Sequence, residues 1–253
     1  MTLRGSFIPN VPIALFLDVD GTLLEIAASP ESVKVPAALL NTLDLAAQRE
    51  GGALALITGR CITELDRLFV PYVFAAAGQH GLERRNADGH VTRAPVDKAL
   101  LAPARSALKA FVEEHAGLLL EDKGSALALH YRAAPLLKMS VQALLEKLLE
   151  PLKPHFILRT GKCVFELAPA NCSKRIAIEA FMREEPFAGR VPVFVGDDVT
   201  DEDGFAAVNA LGGYSIRVGC EEPTVATYRF GSVPAVVAWL RERNINRALG
   251  NLR

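Results

Sequence analysis

The chain has 253 residues, of which 50% are hydrophobic and 23% charged, with a formal net charge of −1. This length predicts one large domain or a core carrying an insert, and the composition excludes disordered, collagen-like and solvating-tail chains. The near-neutral charge argues against a nucleic-acid partner, and no apolar run approaches the roughly 18 residues of a membrane span.

The first predicted element is the apolar run at residues 11–17. Only Arg4 precedes it as a basic residue, no small-residue cleavage site follows, and it runs directly into Asp18 and Asp20. It therefore reads as a buried strand centred on Ile13–Leu17, not a leader segment. A helix is expected from about Pro36, with Leu39, Leu40, Leu43, Ala46 and Ala47 on one face and Gly51-Gly52 as its stop. A short apolar strand at 53–57 and a helix at 62–69 follow. After the middle of the chain come a helix at 174–183, a strand at 191–195 and a helix at 233–243. Short, wholly apolar strands that each end in a polar, Gly-containing loop are the pattern of a parallel sheet covered on both faces.

The middle has a different rhythm: helix at 103–115, strands at 118–123 and 126–131, helix between Pro135 and Pro151, then strands at 156–159 and 163–167 joined across Thr160-Gly161. Residues 98–165 hold 10 Lys and Arg against 6 Asp and Glu, leaving 18 against 23 elsewhere, so a basic middle interrupts an acidic frame. The expected fold class is α/β, a Rossmann-like doubly wound parallel-sheet core with an inserted smaller α+β cap domain. The core is expected over 1–97 and 169–253 and the cap over 98–168. Cysteines 61, 163, 172 and 220 form no Cys-x-x-Cys pair and the five histidines no His-Glu-x-x-His, so zinc and redox frameworks have no support and reduced thiols in a cytoplasmic protein are expected.

Four loops carry candidate chemistry. Asp18-Val19-Asp20-Gly21-Thr22 follows the first strand and sets two carboxylates two residues apart, one able to attack phosphorus and the other to protonate a leaving oxygen. A calcium loop or a solvated turn is the alternative; an EF-hand frame with Gly21 in sixth position would need acids at Phe16 and Ala27 and fails. Thr58-Gly59-Arg60 offers a hydroxyl and backbone N–H groups suited to a phosphate, although Thr and Gly also serve as ordinary turn residues. The third loop, from Gly196 through Asp197, Asp198, Asp201, Glu202 and Asp203 to Gly204, crowds five acids into seven positions. Such crowding calls for a cation or a nearby Lys. Capping of a helix N-terminus is an alternative for residues 201–203, and an EF-hand frame on Gly204 would begin at Val199 and fails. Lys174 opens a helix, where a cation is unfavourable unless it answers an anion.

The three loops and Lys174 resemble, in order, the motif set of haloacid-dehalogenase-type phosphatases. The run Gly-Asp-Asp-x-Thr-Asp-Glu at 196–202 makes the closer resemblance one to the trehalose-6-phosphate phosphatase family. Gly78-Gln79-His80-Gly81 is similar to that family's core-side sugar loop, and Glu121-Asp122-Lys123, His130-Tyr131-Arg132 and Glu166 are similar to its cap motifs. The resemblance implies a trehalose-phosphatase of trehalose biosynthesis that uses Mg2+. Asp18 would be the nucleophile and Asp20 the general acid/base, with Thr58 and Lys174 on the phosphoryl oxygens. Asp18, the backbone carbonyl of Asp20 and Asp197 would bind the metal, with Asp198 and Asp201 behind it. Gln79, His80, Gly81, Glu121, Lys123, Arg132 and Glu166 would contact the sugar. His80, His130 and Tyr131 also read as ordinary packing residues, and Lys123 and Arg132 as solvated strand ends. The expected partner is a small sugar phosphate, with neither nucleic acid nor membrane, and the expected state a monomer. Sucrose 6-phosphate or mannosyl-3-phosphoglycerate as substrate, and a catalytically silent sugar-phosphate sensor, are the alternatives; retention of Asp18, Asp20 and Asp197 speaks against the last.

Overall fold

The computed structural model describes residues 11–26, 33–161, 163–219 and 223–250, so Cys220 lies outside the described residues. The chain forms two compact units. One comprises the chain up to Arg93, Ser173–Asp197 and the chain from Asp201 onward; the other comprises Ala94–Cys172 with Asp198–Thr200.

The first unit begins with β1 (Ile13–Leu17), α1 (Ala37–Arg49), β2 (Leu54–Ile57), α2 (Ile62–Leu68), β3 (Ala75–Gly78), β4 (Glu83–Arg85) and β5 (Val91–Arg93). The second unit contains α3 (Ala102–Glu114), β6 (Leu119–Asp122), β7 (Leu127–His130), α4 (Lys138–Leu149), β8 (Phe156–Gly161) and β9 (Val164–Pro169). The chain then returns to the first unit through α5 (Lys174–Phe181), β10 (Val191–Gly196), α6 (Glu202–Ala210), β11 (Tyr214–Val218), β12 (Tyr228–Phe230) and α7 (Val233–Gly250). Among the described residues no helix is long and apolar enough to cross a membrane.

The eight strands of the first unit lie in the order β12-β11-β10-β1-β2-β3-β4-β5. The six from β12 to β3 run parallel, and β4 and β5 are antiparallel additions. Successive side chains of a strand point to opposite faces, and β1 shows the result. Ile13, Leu15 and Leu17 join Leu39 and Leu43 of α1 and Val236, Trp239 and Leu240 of α7 in one apolar cluster. Ala14 and Phe16 join Ile178 and Phe181 of α5 and Phe205 of α6 in another. Burial on both faces explains why the strand is apolar throughout instead of alternating.

Sequence periodicity does not reveal β3, β4 or β5, and the structure gives the reason. Strand β3 is built on alanines, without the branched side chains that mark a strand. Strand β4 is Glu-Arg-Arg, yet Glu83 and Arg85 are buried. Glu83 accepts from the Ile62 N–H at 2.6 Å and from Arg93, while Arg85 donates to the Phe74 carbonyl and to Asp66. Buried charges are tolerated when paired and hydrogen-bonded, and these partners come from remote parts of the chain.

The second unit is a four-stranded antiparallel sheet, β6-β7-β9-β8. Its rows alternate. Leu120, Leu129 and Phe165 face the helices, where Leu108 of α3 and Val141 and Leu145 of α4 complete the core. Glu121, Ala128, Glu166 and Arg159 pair across the four strands on the other face. The turn between β8 and β9 is displaced from the expected Thr160-Gly161. Both residues belong to β8, with Gly161 opposite Val164, and the positive φ of the turn falls on Cys163 at 64°. Thr160 is β-branched and suits a strand, so the ladder runs two residues further.

Candidate active site

Strand order reverses at β1: the chain moves outward through β2 and β3 on one side and later through β10, β11 and β12 on the other. In open α/β sheets the loops beyond the carboxyl ends of the strands at such a point form the natural crevice for a ligand. The β1 and β10 ladders end together, with Leu17 opposite Val195 and the Asp18 N–H donating to the Val195 carbonyl at 2.9 Å. Asp18 and Asp197 therefore emerge side by side. Thr58 directly follows the neighbouring β2, its N–H bonded to the Ala77 carbonyl.

Lys174, the first residue of α5, reaches into this crevice. Ser173 caps the helix by accepting from the Ile176 N–H at 3.2 Å. The Lys174 Nζ donates to Asp18 Oδ1 at 2.7 Å and to Asp201 Oδ1 at 2.5 Å, and all three side chains are buried. Asp201 Oδ2 in turn accepts from the Asp197 N–H at 3.0 Å. Asp201 does not cap α6 with its side chain, so capping does not explain this acid; it braces Lys174 and the Asp197 backbone.

Oxygens of Asp18, Asp197 and Asp201 lie within 4.8 Å of one another. One ammonium cannot balance three carboxylates, so the cluster carries surplus negative charge. Burial is the foremost cause holding the Asp18 carboxyl well above its usual range. Lys174 pulls it down, and the neighbouring Asp201 and Asp197 push it further up. Burial works against the charge on Lys174, but Asp18 and Asp201 outweigh it and raise the lysine above its ordinary value. Hard oxygen donors with an unmet negative charge suit a divalent cation. Asp201 is already committed on both oxygens, which leaves Asp18 and Asp197 as the better ligands. Gly21 makes room for this arrangement: its φ is +84°, and a Cβ there would stand 2.0 Å from Asp197 Oδ2.

Asp20 lies apart from the carboxylate cluster. Its two oxygens accept a fork from Arg60, Nε to Oδ2 and Nη2 to Oδ1, both at 2.7 Å. In the sequence Arg60 is one residue of its loop with no task of its own; the signal for one is the need for a cation to answer the second aspartate. Thr58 is buried, and its Oγ accepts from the Arg60 N–H at 3.2 Å.

Gln79 and His80 sit beside that loop in left-handed backbone, with φ of 47° and 56°. The Gln79 N–H donates to the Arg60 carbonyl and the His80 N–H to the Thr58 carbonyl, both at 2.9 Å. Gly81, at φ +97°, lets the Ser173 carbonyl approach within 2.8 Å of its missing Cβ, so this glycine has a packing task at the start of α5.

In the second unit, Lys123 donates to Glu166 at 3.0 Å and stands 4.0 Å from Glu121, which also meets His130 Nε2 at 2.9 Å. Burial alone would raise Glu121, but the His130 hydrogen bond and the Lys123 charge bring it below its ordinary value. Arg132 is exposed just beyond β7. Tyr131 stacks on Phe165 and is packing, whereas His130 belongs to the polar row; its period-two spacing from Ala128 was the signal. Asp122 turns away to Arg105. Asp198 accepts from the Val199 N–H at 2.8 Å, and Glu202 ties Arg217 and the Val225 N–H, a structural use for the last acid of the Gly-Asp-Asp-x-Thr-Asp-Glu run.

Comparison with known proteins agrees with this architecture. The chain is 45% identical over 227 residues to the trehalose-6-phosphate phosphatase of Escherichia coli K12, covering 90% of this chain and 85% of that protein. It is also 45% identical over 225 residues to a probable trehalose-phosphate phosphatase of Sinorhizobium fredii, covering 89% and 84%. Among solved structures, the C-terminal domain of the C. albicans trehalose-6-phosphate phosphatase superposes with a TM-score of 0.82 over 92% of each chain, and its 21% identity bears on the fold alone. The family described as Trehalose-phosphatase matches residues 16–233. The strand-end carboxylates, their lysine and this match together make the chain a member of the trehalose-phosphatase family.

Proposed function

We propose that this phosphatase hydrolyses trehalose 6-phosphate to trehalose and phosphate with Mg2+, through an aspartyl-phosphate on Asp18, as a cytoplasmic monomer in trehalose biosynthesis. The observation that carries the reading is the buried Asp18–Lys174–Asp201 chain beside Asp197. A carboxylate held against a fixed ammonium is aimed, and its surplus charge calls for a cation. The substrate follows from the relatives' names and from the polar sheet face of the second unit. The three described cysteines are free thiols, in keeping with a reducing compartment.

In the first step an Asp18 oxygen forms a bond to phosphorus as the bond from phosphorus to the sugar oxygen breaks, and Asp20 gives its proton to that oxygen. In the second, Asp20 takes a proton from water as the water attacks phosphorus, releasing phosphate and restoring Asp18. Thr58 and Lys174 hold the phosphoryl oxygens, and Asp198 and Asp201 support the metal loop. Magnesium, held by Asp18, Asp197 and the Asp20 carbonyl, would neutralise charge on the transferring group. Glu121, Lys123, Arg132 and Glu166, with Gln79 and His80, would hydrogen-bond the sugar hydroxyls.

Phosphate release from trehalose 6-phosphate, sucrose 6-phosphate, mannosyl-3-phosphoglycerate and an aryl phosphate tests this reading. Trehalose 6-phosphate should give the highest kcat/KM. Chelation should stop turnover, Mg2+ should restore it, and Ca2+ should substitute poorly. Preference for another sugar phosphate, or full activity after exhaustive chelation, would overturn the corresponding part.

A further inference from the structure

Asp20 is surrounded by an arrangement that the proposed chemistry does not require. Its nearest cation is Arg60, whose side chain is only 11% exposed while that of Asp20 is 34% exposed. The Arg60 backbone is fixed at two points, its N–H on the Thr58 hydroxyl and its carbonyl on the Gln79 N–H. The loop is tight: a Cβ on Gly78 would stand 2.9 Å from the Arg60 carbonyl. The guanidinium is thus the more buried member of the pair and the carboxylate the more exposed one.

A fork of two parallel N–H···O bonds is specific to carboxylate geometry. Both Asp20 oxygens accept from Arg60, and a protonated oxygen is a poorer acceptor than a charged one, so loading either with a proton weakens the arm that it receives. The same fork fits the carboxylate that remains after the proton has left. We infer that Arg60 is the positioning residue for Asp20, parking its carboxylate between turnovers and recapturing it once the sugar oxygen has been protonated. This rests on the acid/base role proposed for Asp20. In the acid step the Asp20 O–H bond breaks, the proton joins the sugar oxygen and the electron pair stays on the carboxylate, which re-forms the fork.

Sugar and aryl leaving groups separate this role from a structural one, because a nitro-substituted aryl oxygen departs without protonation. kcat/KM reports the steps up to cleavage of the ester and leaves out hydrolysis of the intermediate. Arg60→Ala should lower kcat/KM on trehalose 6-phosphate by about 10- to 100-fold, the scale of a misplaced acid, and leave a nitroaryl phosphate nearly unchanged. Added guanidinium ion should restore part of the loss. Arg60→Lys, which keeps the charge without the fork, should fall between Arg60→Ala and wild type on the sugar ester, and it keeps the test open should Arg60→Ala fold poorly. The double variant Asp20→Asn with Arg60→Ala should be no worse on the sugar ester than Asp20→Asn alone. Equal losses on both esters in the Arg60 variants, with Asp20→Asn still selective for the sugar ester, would overturn the inference and make Arg60 a phosphate or loop residue. An Asp20→Asn variant that lacks this selectivity would overturn the acid/base reading, and the inference with it.

Discussion

The two units hold their polar residues in opposite ways. In the parallel-sheet unit the central strands β1, β2, β3 and β10 are apolar on both faces, and the chemistry is confined to the strand ends, where Asp18, Thr58 and Asp197 leave adjacent strands and Lys174 enters on a helix start. In the antiparallel unit one sheet face carries a polar row, in which Glu121, Glu166 and Arg159 stand in register across three of its strands. The first arrangement suits reacting atoms, which need a buried site whose geometry is fixed by backbone ladders. The second suits a ligand with many hydroxyls, which needs a broad, hydrated surface of donors and acceptors. The comparison predicts that substitutions at Asp18, Thr58, Lys174 and Asp197 of the first unit act on every substrate, while those on the polar row of the second discriminate among them.

The largest effect is expected from Asp18→Asn, a nearly isosteric change that removes the nucleophile. It should lower turnover of both sugar and aryl phosphates on the order of 10³-fold or more. A variant retaining a tenth of wild-type activity would break the assignment of chemistry to the first unit. Next is Lys174→Met. It strands the buried Asp18 and Asp201, and removing one partner of a buried pair costs about 3 to 5 kcal/mol. Urea denaturation should show that loss together with inactivity on both substrates; an unchanged midpoint would mean that the pair is less buried than 2% and 7% exposure implies.

The smallest effect lies in the second unit. The folded Glu121 carboxyl sits below its ordinary value, so its contribution to stability is present above the usual carboxylate range and is lost as pH falls through its depressed value. The group is partly exposed, with its side chain at 35%, and solvent screening limits the contribution to roughly 1 kcal/mol or less. Glu121→Gln should therefore be slightly less stable than wild type at neutral pH, and thermal unfolding should show the gap closing as pH falls. A gap that widened on acidification would contradict the assigned sign.

The same contrast explains what the sequence made legible. Strand-end loops bring their functional groups into short contiguous motifs, so Asp18-x-Asp20, Thr58-Gly59-Arg60 and the Asp197 loop stand out on chemical grounds. The helix and strand order around them follows from apolar runs such as Ile13–Leu17. The task of Arg60 stays hidden because its partner is 40 residues away. Glu83 and Arg85 hide strand β4 for a related reason, since their partners at Ile62, Arg93, Asp66 and Phe74 exist only in the folded chain. In the second unit Glu121, Lys123 and Glu166 are ordinary charged residues by local pattern, and resemblance alone marked them. His130 completes their row only once the β6-β7-β9 register is known.

The central claim is that the first unit supplies the reaction and the second supplies the choice of substrate. Its most direct test is kcat/KM of Glu166→Ala on trehalose 6-phosphate and on an aryl phosphate measured side by side. Glu166 is tied to Lys123 on the polar face, and loss of a hydrogen bond to a charged group costs about 1.5 to 3 kcal/mol, or about ten- to a hundred-and-fifty-fold in rate. The account predicts a loss of that size on the sugar ester and little change on the aryl ester. Equal losses on both would contradict it and would make the polar face a support for the fold instead of a reader of the sugar.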